Sequence, residues 1–143
     1  GNLLLDIGPK ADGTIPKEQI HLLRELGKWN RKHEEAVYNT ISGIPYDYFY
    51  GPTSLSKDST KLYLYVRDIP KNGELILKGI STKIKQISMV GSDTKLQHKI
   101  FCKVPWNTYP GINYITIPIQ EIDTYCTVVK IEFDTKIDLY EAP

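Results

Sequence analysis

The 143-residue chain is most easily read first through what it lacks. It has no apolar run near the ~18–20 residues that a membrane-spanning helix requires, so no membrane span is expected. It has no basic excess: 18 Lys and Arg stand against 17 Asp and Glu, a net charge of +1. A dedicated nucleic-acid binder needs far more positive charge, so no nucleic-acid partner is expected. Three His and two Cys are too few for a protein-only zinc site of the usual kind, and His21, His33 and His98 show no ligand spacing. No metal and no cofactor is therefore expected. There is no Gly-x-Ser-x-Gly elbow to support a serine hydrolase and no Gly-rich phosphate loop. The chain opens without Met and without a charged n-region, so its start is not a signal peptide. No internal repeat or low-complexity tract occurs.

What is present reads as globular. Hydrophobic residues make up 41% and charged residues 24%, which excludes intrinsic disorder. A chain of this length buries about two thirds of its unfolded surface, enough for a genuine core. Charge divides along the sequence: residues 1–40 are balanced, residues 41–100 carry nine positive against five negative charges, and residues 101–143 carry three against six. No block is large enough to imply a polyanionic partner, and solvated strand faces explain them. Cys102 and Cys126 each fall in a β-rich stretch. One disulfide and two buried free thiols both remain open.

Two segments with different periodicity follow each other. The opening GNLLLDIGP places Leu3, Leu4, Leu5 and Ile7 on both faces of a strand, as in a doubly covered strand of a parallel sheet. Such a strand is not stable alone, so upstream sequence is expected to precede it. Ile20, Leu22, Leu23, Leu26 and Trp29 then recur at helical spacing behind a first-turn Pro16, which predicts a helix over 16–32. Strand, turn and helix make the last half-unit of a βα architecture. From about residue 44 the period falls to two. Strands are expected over 61–66, 74–78, 83–90, 98–104, 115–119, 129–133 and 137–140, with Pro70-Lys71-Asn72-Gly73 as a hairpin turn and Ile100, Cys102 and Val104 on one face. Short strands at this spacing mean an antiparallel sandwich. The fold class is thus mostly β: an antiparallel β-sandwich over 41–143, preceded over 1–40 by one strand and one helix left from a (β/α) barrel.

GNLLLDIGPKADGTIPKEQIHLLRELGKW resembles the end of the catalytic barrel in α-L-fucosidases of glycoside hydrolase family 29, whose members read GNLLLNIGP, an acidic-Gly turn, then IP and a helix ending in Gly and Trp. KHEEAVYNT is similar to the family's NGEAIYGT. GIPYDYFYGPTSLSKDSTKLYLYV and KLQHKIFCKVPW resemble segments of the C-terminal sandwich of bacterial members. Asp6 replaces the common Asn, and His33-Glu34 replaces Asn-Gly, which implies a different turn after the helix.

The resemblance implies a parent enzyme that hydrolyses terminal α-L-fucosyl bonds with retention. That chemistry uses two carboxyl groups about 5–5.5 Å apart. In the family both precede the matching segment, so no catalytic residue is expected in this chain, which would be an inactive C-terminal fragment. The implied partners are fucosylated glycans, met through the parent, and the missing barrel. The implied location is periplasmic or extracellular.

Individual residues are weighed against packing. Asp6 falls near the C-terminal end of the expected barrel strand, where such barrels place their sites, so it is the substrate-proximal candidate. Glu34 and Glu35 are adjacent, a poor arrangement for acid–base work, and read as interdomain or capping contacts. Trp29 and Tyr38 read as packing residues. Tyr46, Tyr48, Phe49 and Tyr50 form an aromatic cluster read as interdomain packing. Trp106, with Tyr109, stands in the Pro- and Gly-rich VPWNTYPG stretch; packing leads, but an aromatic face on a sandwich loop also suits a sugar ring. Two rivals follow: a stand-alone carbohydrate-binding sandwich, and a scaffold that self-associates through residues 2–7.

Overall fold

The computed structural model describes residues 3–141. The chain forms two compact units, one ending at Lys32 and the other starting at His33. Residues 33–40, which sequence grouped with the helix, therefore belong to the second unit.

In the first unit the expected helix is present as α1 (Lys17–Lys32), with Glu18 in its first turn and Arg31 and Lys32 in its last, each complementing the helix dipole. The strand expected ahead of it is not formed. Residues 3–10 enter no ladder, and Leu3, Leu4, Leu5 and Ile7 are exposed. The reason is physical: a doubly covered parallel strand needs a neighbour on each side, and among the described residues no strand pairs with it. No residue of α1 is buried either, although its apolar stripe is intact.

The second unit is the antiparallel sandwich that the period-two pattern predicts. A short helix α2 (Glu34–Val37) leads into eight strands: β1 (Thr40–Ser42), β2 (Thr53–Ser56), β3 (Lys61–Val66), β4 (Glu74–Lys78), β5 (Ile84–Met89), β6 (His98–Phe101), β7 (Ile112–Thr116) and β8 (Thr127–Phe133). One sheet has the order β1-β2-β3-β8-β5 and the other β4-β7-β6. Leu62, Leu64 and Val66 of β3 and Val129, Ile131 and Phe133 of β8 share the core with Leu75 and Leu77 of β4 and Ile115 of β7. Each set has the i, i+2 spacing of one strand face.

Several local expectations are corrected. The turn at 70–73 closes through Gly73 N–H donating to Pro70 O at 2.8 Å, but it does not make a hairpin. Both edges of β3 are already taken, by β2 and β8, so the chain crosses to the other sheet, where β4 pairs with β7. β6 ends at Phe101 because Cys102 turns to a positive φ of 60°, and Ile100 is exposed rather than aligned with Cys102 and Val104 on a buried face. Ile119 leaves the strand for a 3-10 turn and is exposed. The final strand reduces to a single bridge between Leu139 and Ile80. Cys102 and Cys126 are not joined in a disulfide.

Candidate functional site

Three places bring chemistry-bearing residues together. The first is a cleft of about 270 Å³ in the first unit, lined by Leu5, Ile7, Leu22, Leu23 and Leu26 with Asp6 and Gln19. Gln19 Oε1 accepts from Gly8 N–H at 3.0 Å, which ties the segment to α1. Asp6 is exposed on the rim of this apolar cleft, and no second carboxylate lines it.

The second is a polar row across the outer face of the five-stranded sheet. Register places Ser54, Tyr63, Lys130 and Ser88 side by side on β2, β3, β8 and β5. α2 lies on this row. Ala36 is fully buried, and its carbonyl accepts from Ser54 Oγ at 3.2 Å and from the Tyr65 hydroxyl. Glu35 reaches Lys130 Nζ with both oxygens, at 3.0 and 3.3 Å, and accepts from Tyr63 Oη at 3.4 Å. Glu132 Oε1 is 3.9 Å from the same ammonium. Burial pushes the Tyr63 hydroxyl well above the usual tyrosine range, and the Glu35 carboxylate beside it adds to the effect. Tyr65 is raised too, by burial. His33 is buried at the start of α2.

Lys130 is the residue that sequence reading missed. Alternation along β8 places it with Glu132 on a solvated face, yet six of the seven β8 residues are buried, Lys130 among them. Only the docking of α2 shows this. Glu35 and Glu132 are both within ion-pairing distance of the Lys130 ammonium, at 3.0 and 3.9 Å. Through Glu35, these contacts fasten α2 to β3 and β8.

The third is the loop between β6 and β7. Pro105 and Trp106 form its turn, closed by Asn107 N–H donating to Val104 O at 3.2 Å. Asn107 Oδ1 then accepts from Tyr109 N–H at 2.8 Å. Tyr109 packs edge-on against Tyr140, with ring centroids 5.3 Å apart, and burial raises its hydroxyl pKa. Gly111, at φ +95°, closes the loop where a Cβ would meet Phe101 O at 2.7 Å. In this ordered frame Trp106 is 85% exposed. Among the described residues its indole is left largely open to solvent. The 44–50 aromatics divide: Phe49 belongs to the sandwich core, Tyr48 is half-buried with its hydroxyl donating to Tyr140 O at 2.8 Å, and Tyr46 and Tyr50 are exposed.

Among the described residues, no three His, Cys, Asp or Glu side chains converge as a metal site would require. No helix of the described residues is long and apolar enough to cross a membrane.

Comparison with known proteins finds similarity to α-L-fucosidases. The α-L-fucosidase family model matches residues 1–35. The chain is 27% identical over 139 residues to an α-L-fucosidase of Dictyostelium discoideum, covering 92% of this chain and 29% of that protein. Among solved structures, α-L-fucosidase isoenzyme 1 from Paenibacillus thiaminolyticus superposes with a TM-score of 0.71 at 26% identity, over 94% of this chain and 31% of that one. The α-L-fucosidase from Vibrio sp. strain EJY3 gives 0.73 at 26% identity, over 94% and 23%. The chain thus spans less than a third of the length of each.

Proposed function

The chain is related in sequence and fold to the α-L-fucosidases of glycoside hydrolase family 29, and on that premise we propose that it is the C-terminal portion of a retaining α-L-fucosidase. The parent would cleave terminal α-L-fucosyl linkages in glycans. This portion would serve it as a structural accessory without the catalytic carboxylates, and the missing barrel would be its partner. The observation that carries the reading is α1: it lies in the matched segment, keeps a full apolar stripe, and has no buried residue. A helix of that kind is built to cover a sheet. The ion pairing of Glu35 and Glu132 with Lys130, at 3.0 and 3.9 Å, supports a structural rather than a catalytic use of these two carboxylates.

The test is an assay with an aryl α-L-fucoside. The 143-residue chain should release no phenol above the blank, while the complete gene product should turn over. Turnover by the short chain at a rate comparable to the complete product would overturn the accessory role. The same reading places the parent in the periplasm or outside the cell, which fractionation of the source cells checks.

A second reading is favoured by one observation, the 85% exposure of Trp106 on an ordered loop. Here the sandwich binds carbohydrate directly, an indole face stacking on a sugar ring beside Tyr109. Titration with fucosylated oligosaccharides should then change the tryptophan fluorescence of the wild-type chain and leave Trp106→Ala silent. Equal responses from both chains would remove Trp106 from the contact. Self-association through residues 3–7 is a third use of the same chain, with Asn2 outside the described residues; deleting the segment should dissolve any dimer.

A further inference from the structure

At the β6 edge of the smaller sheet lies a groove of about 340 Å³. Lys95, Gln97, His98, Lys99 and Thr116 line it together with the apolar Leu96 and Pro118. Its walls are fixed by backbone pairing: Leu96 N–H donates to Ile87 O at 2.9 Å, and Thr116 N–H donates to Gln97 O at 3.2 Å. Leu96 is anchored in the core, so the two lysines stand on a rigid base.

The chemistry of the lining is one-sided. The residues that line it carry two ammonium groups, an imidazole, a carboxamide and a hydroxyl, and no Asp or Glu is among them. Neither Lys95 nor Lys99 forms an ion pair among the described residues, unlike Lys28, Lys61, Lys85 and Lys130. Glu74 stands opposite Thr116 on β4, but its carboxylate is engaged by Asn72 Nδ2 at 3.2 Å. The volume is at the small end of ligand sites, the size of a sugar residue rather than of a large cofactor. Unpaired cations beside neutral hydrogen-bonding groups fit an anion carried on a polar ring.

We propose that this groove holds an anionic sugar residue, bearing a sulfate ester or a carboxylate, of the glycan presented to the parent enzyme. That the anion sits on a glycan rests on the fucosidase reading; the preference for an anion rests on the groove alone. Nucleic acid also offers anions, but a chain with a net charge of +1 gives it no extended basic track.

The experiment measures binding of the 143-residue chain to immobilised dextran sulfate, polygalacturonate, neutral dextran and single-stranded DNA at low salt. The expected result is saturable binding to dextran sulfate or polygalacturonate and none to neutral dextran; the tighter of the two acidic polymers identifies the anion. Lys95→Gln with Lys99→Gln should weaken it about tenfold, as for two screened charge contacts. Lys95→Arg with Lys99→Arg should retain it. Lys71→Gln with Lys136→Gln removes the same charge at two exposed sites elsewhere and should also retain it. An equal loss in that control pair would show diffuse attraction and overturn the site. So would binding to neutral dextran at the same strength, or tighter binding to DNA. No turnover is read, so a complete gene product that fails to release fucose would refute the fucosidase reading and leave this result standing.

Discussion

Asp58 shows how much one exposed carboxylate takes from its neighbours. Its Oδ1 accepts from Ser56 Oγ at 2.6 Å, from Thr60 N–H at 3.1 Å and from Thr60 Oγ1 at 2.9 Å. These bonds favour the charged form, the Ser56 hydroxyl foremost, and hold the pKa at about 2, below the ordinary 3.8. The folded chain therefore gains stability from Asp58 above pH 4 and loses it as pH falls from about 4 toward 2. Thermal melts of Asp58→Ala should show a shallower acid limb than wild type in that window, with the curves converging at its lower end. The Glu35–Lys130 pair sets a second residue-scale expectation. The Lys130 side chain is only 11% exposed, so removing its partner strands a buried cation. Glu35 is 36% exposed, and water screens part of the loss. Glu35→Gln should cost about 1–2 kcal/mol in urea denaturation. Combining it with Lys130→Met should cost less than the two separate losses added together. Of these groups, Glu35 stood out in the sequence only as half of an acidic doublet, and Lys130 did not stand out at all. Two positions 95 apart in the chain become partners through tertiary contact alone.

At the scale of elements, β8 is an interior strand of the five-stranded sheet, with a neighbour on each edge. It pairs with β3 over six residues and with β5 on its other edge. Both of its faces are covered, so its amides should exchange last in hydrogen–deuterium exchange, and those of the edge strands β1 and β6 first. Ile131→Ala, at a fully buried position, should cost about 2–5 kcal/mol. Exchange from β8 as fast as from β6 would contradict the assigned strand order. Strand identities were largely legible, because Leu62-Leu64-Val66 and Val129-Ile131-Phe133 announce a period of two. Partners were not. Pro70 to Gly73 is a good turn in any sheet, and local chemistry does not say whether the chain returns beside β3 or crosses to the other layer. That is decided by β8, which arrives some 60 residues later and occupies the free edge of β3.

For the whole molecule, the unit that starts at His33 contains a complete two-sheet core. A chain of residues 33–143 should fold and melt cooperatively, with the β signature in circular dichroism intact. A broad, non-cooperative melt would show that the sandwich depends on the preceding residues. The first unit has no buried side chain on its only helix, and it carries the matched family segment. One chain thus holds a unit with a complete two-sheet core and a helix with an apolar stripe and no buried residue.

Sequence alone determined the main strands from β3 onward, the change of period near residue 44, the position of α1 and the family resemblance, because all of these are local patterns of side-chain polarity and turn chemistry. Tertiary structure decided the rest: that the opening apolar run has no ladder here, that the 70–73 turn joins two sheets, that Lys130 is buried against Glu35, and that Trp106 faces solvent. Each of these depends on which distant strand occupies a given edge or face, and hydrogen-bonding edges are chemically alike until the whole sheet is assembled.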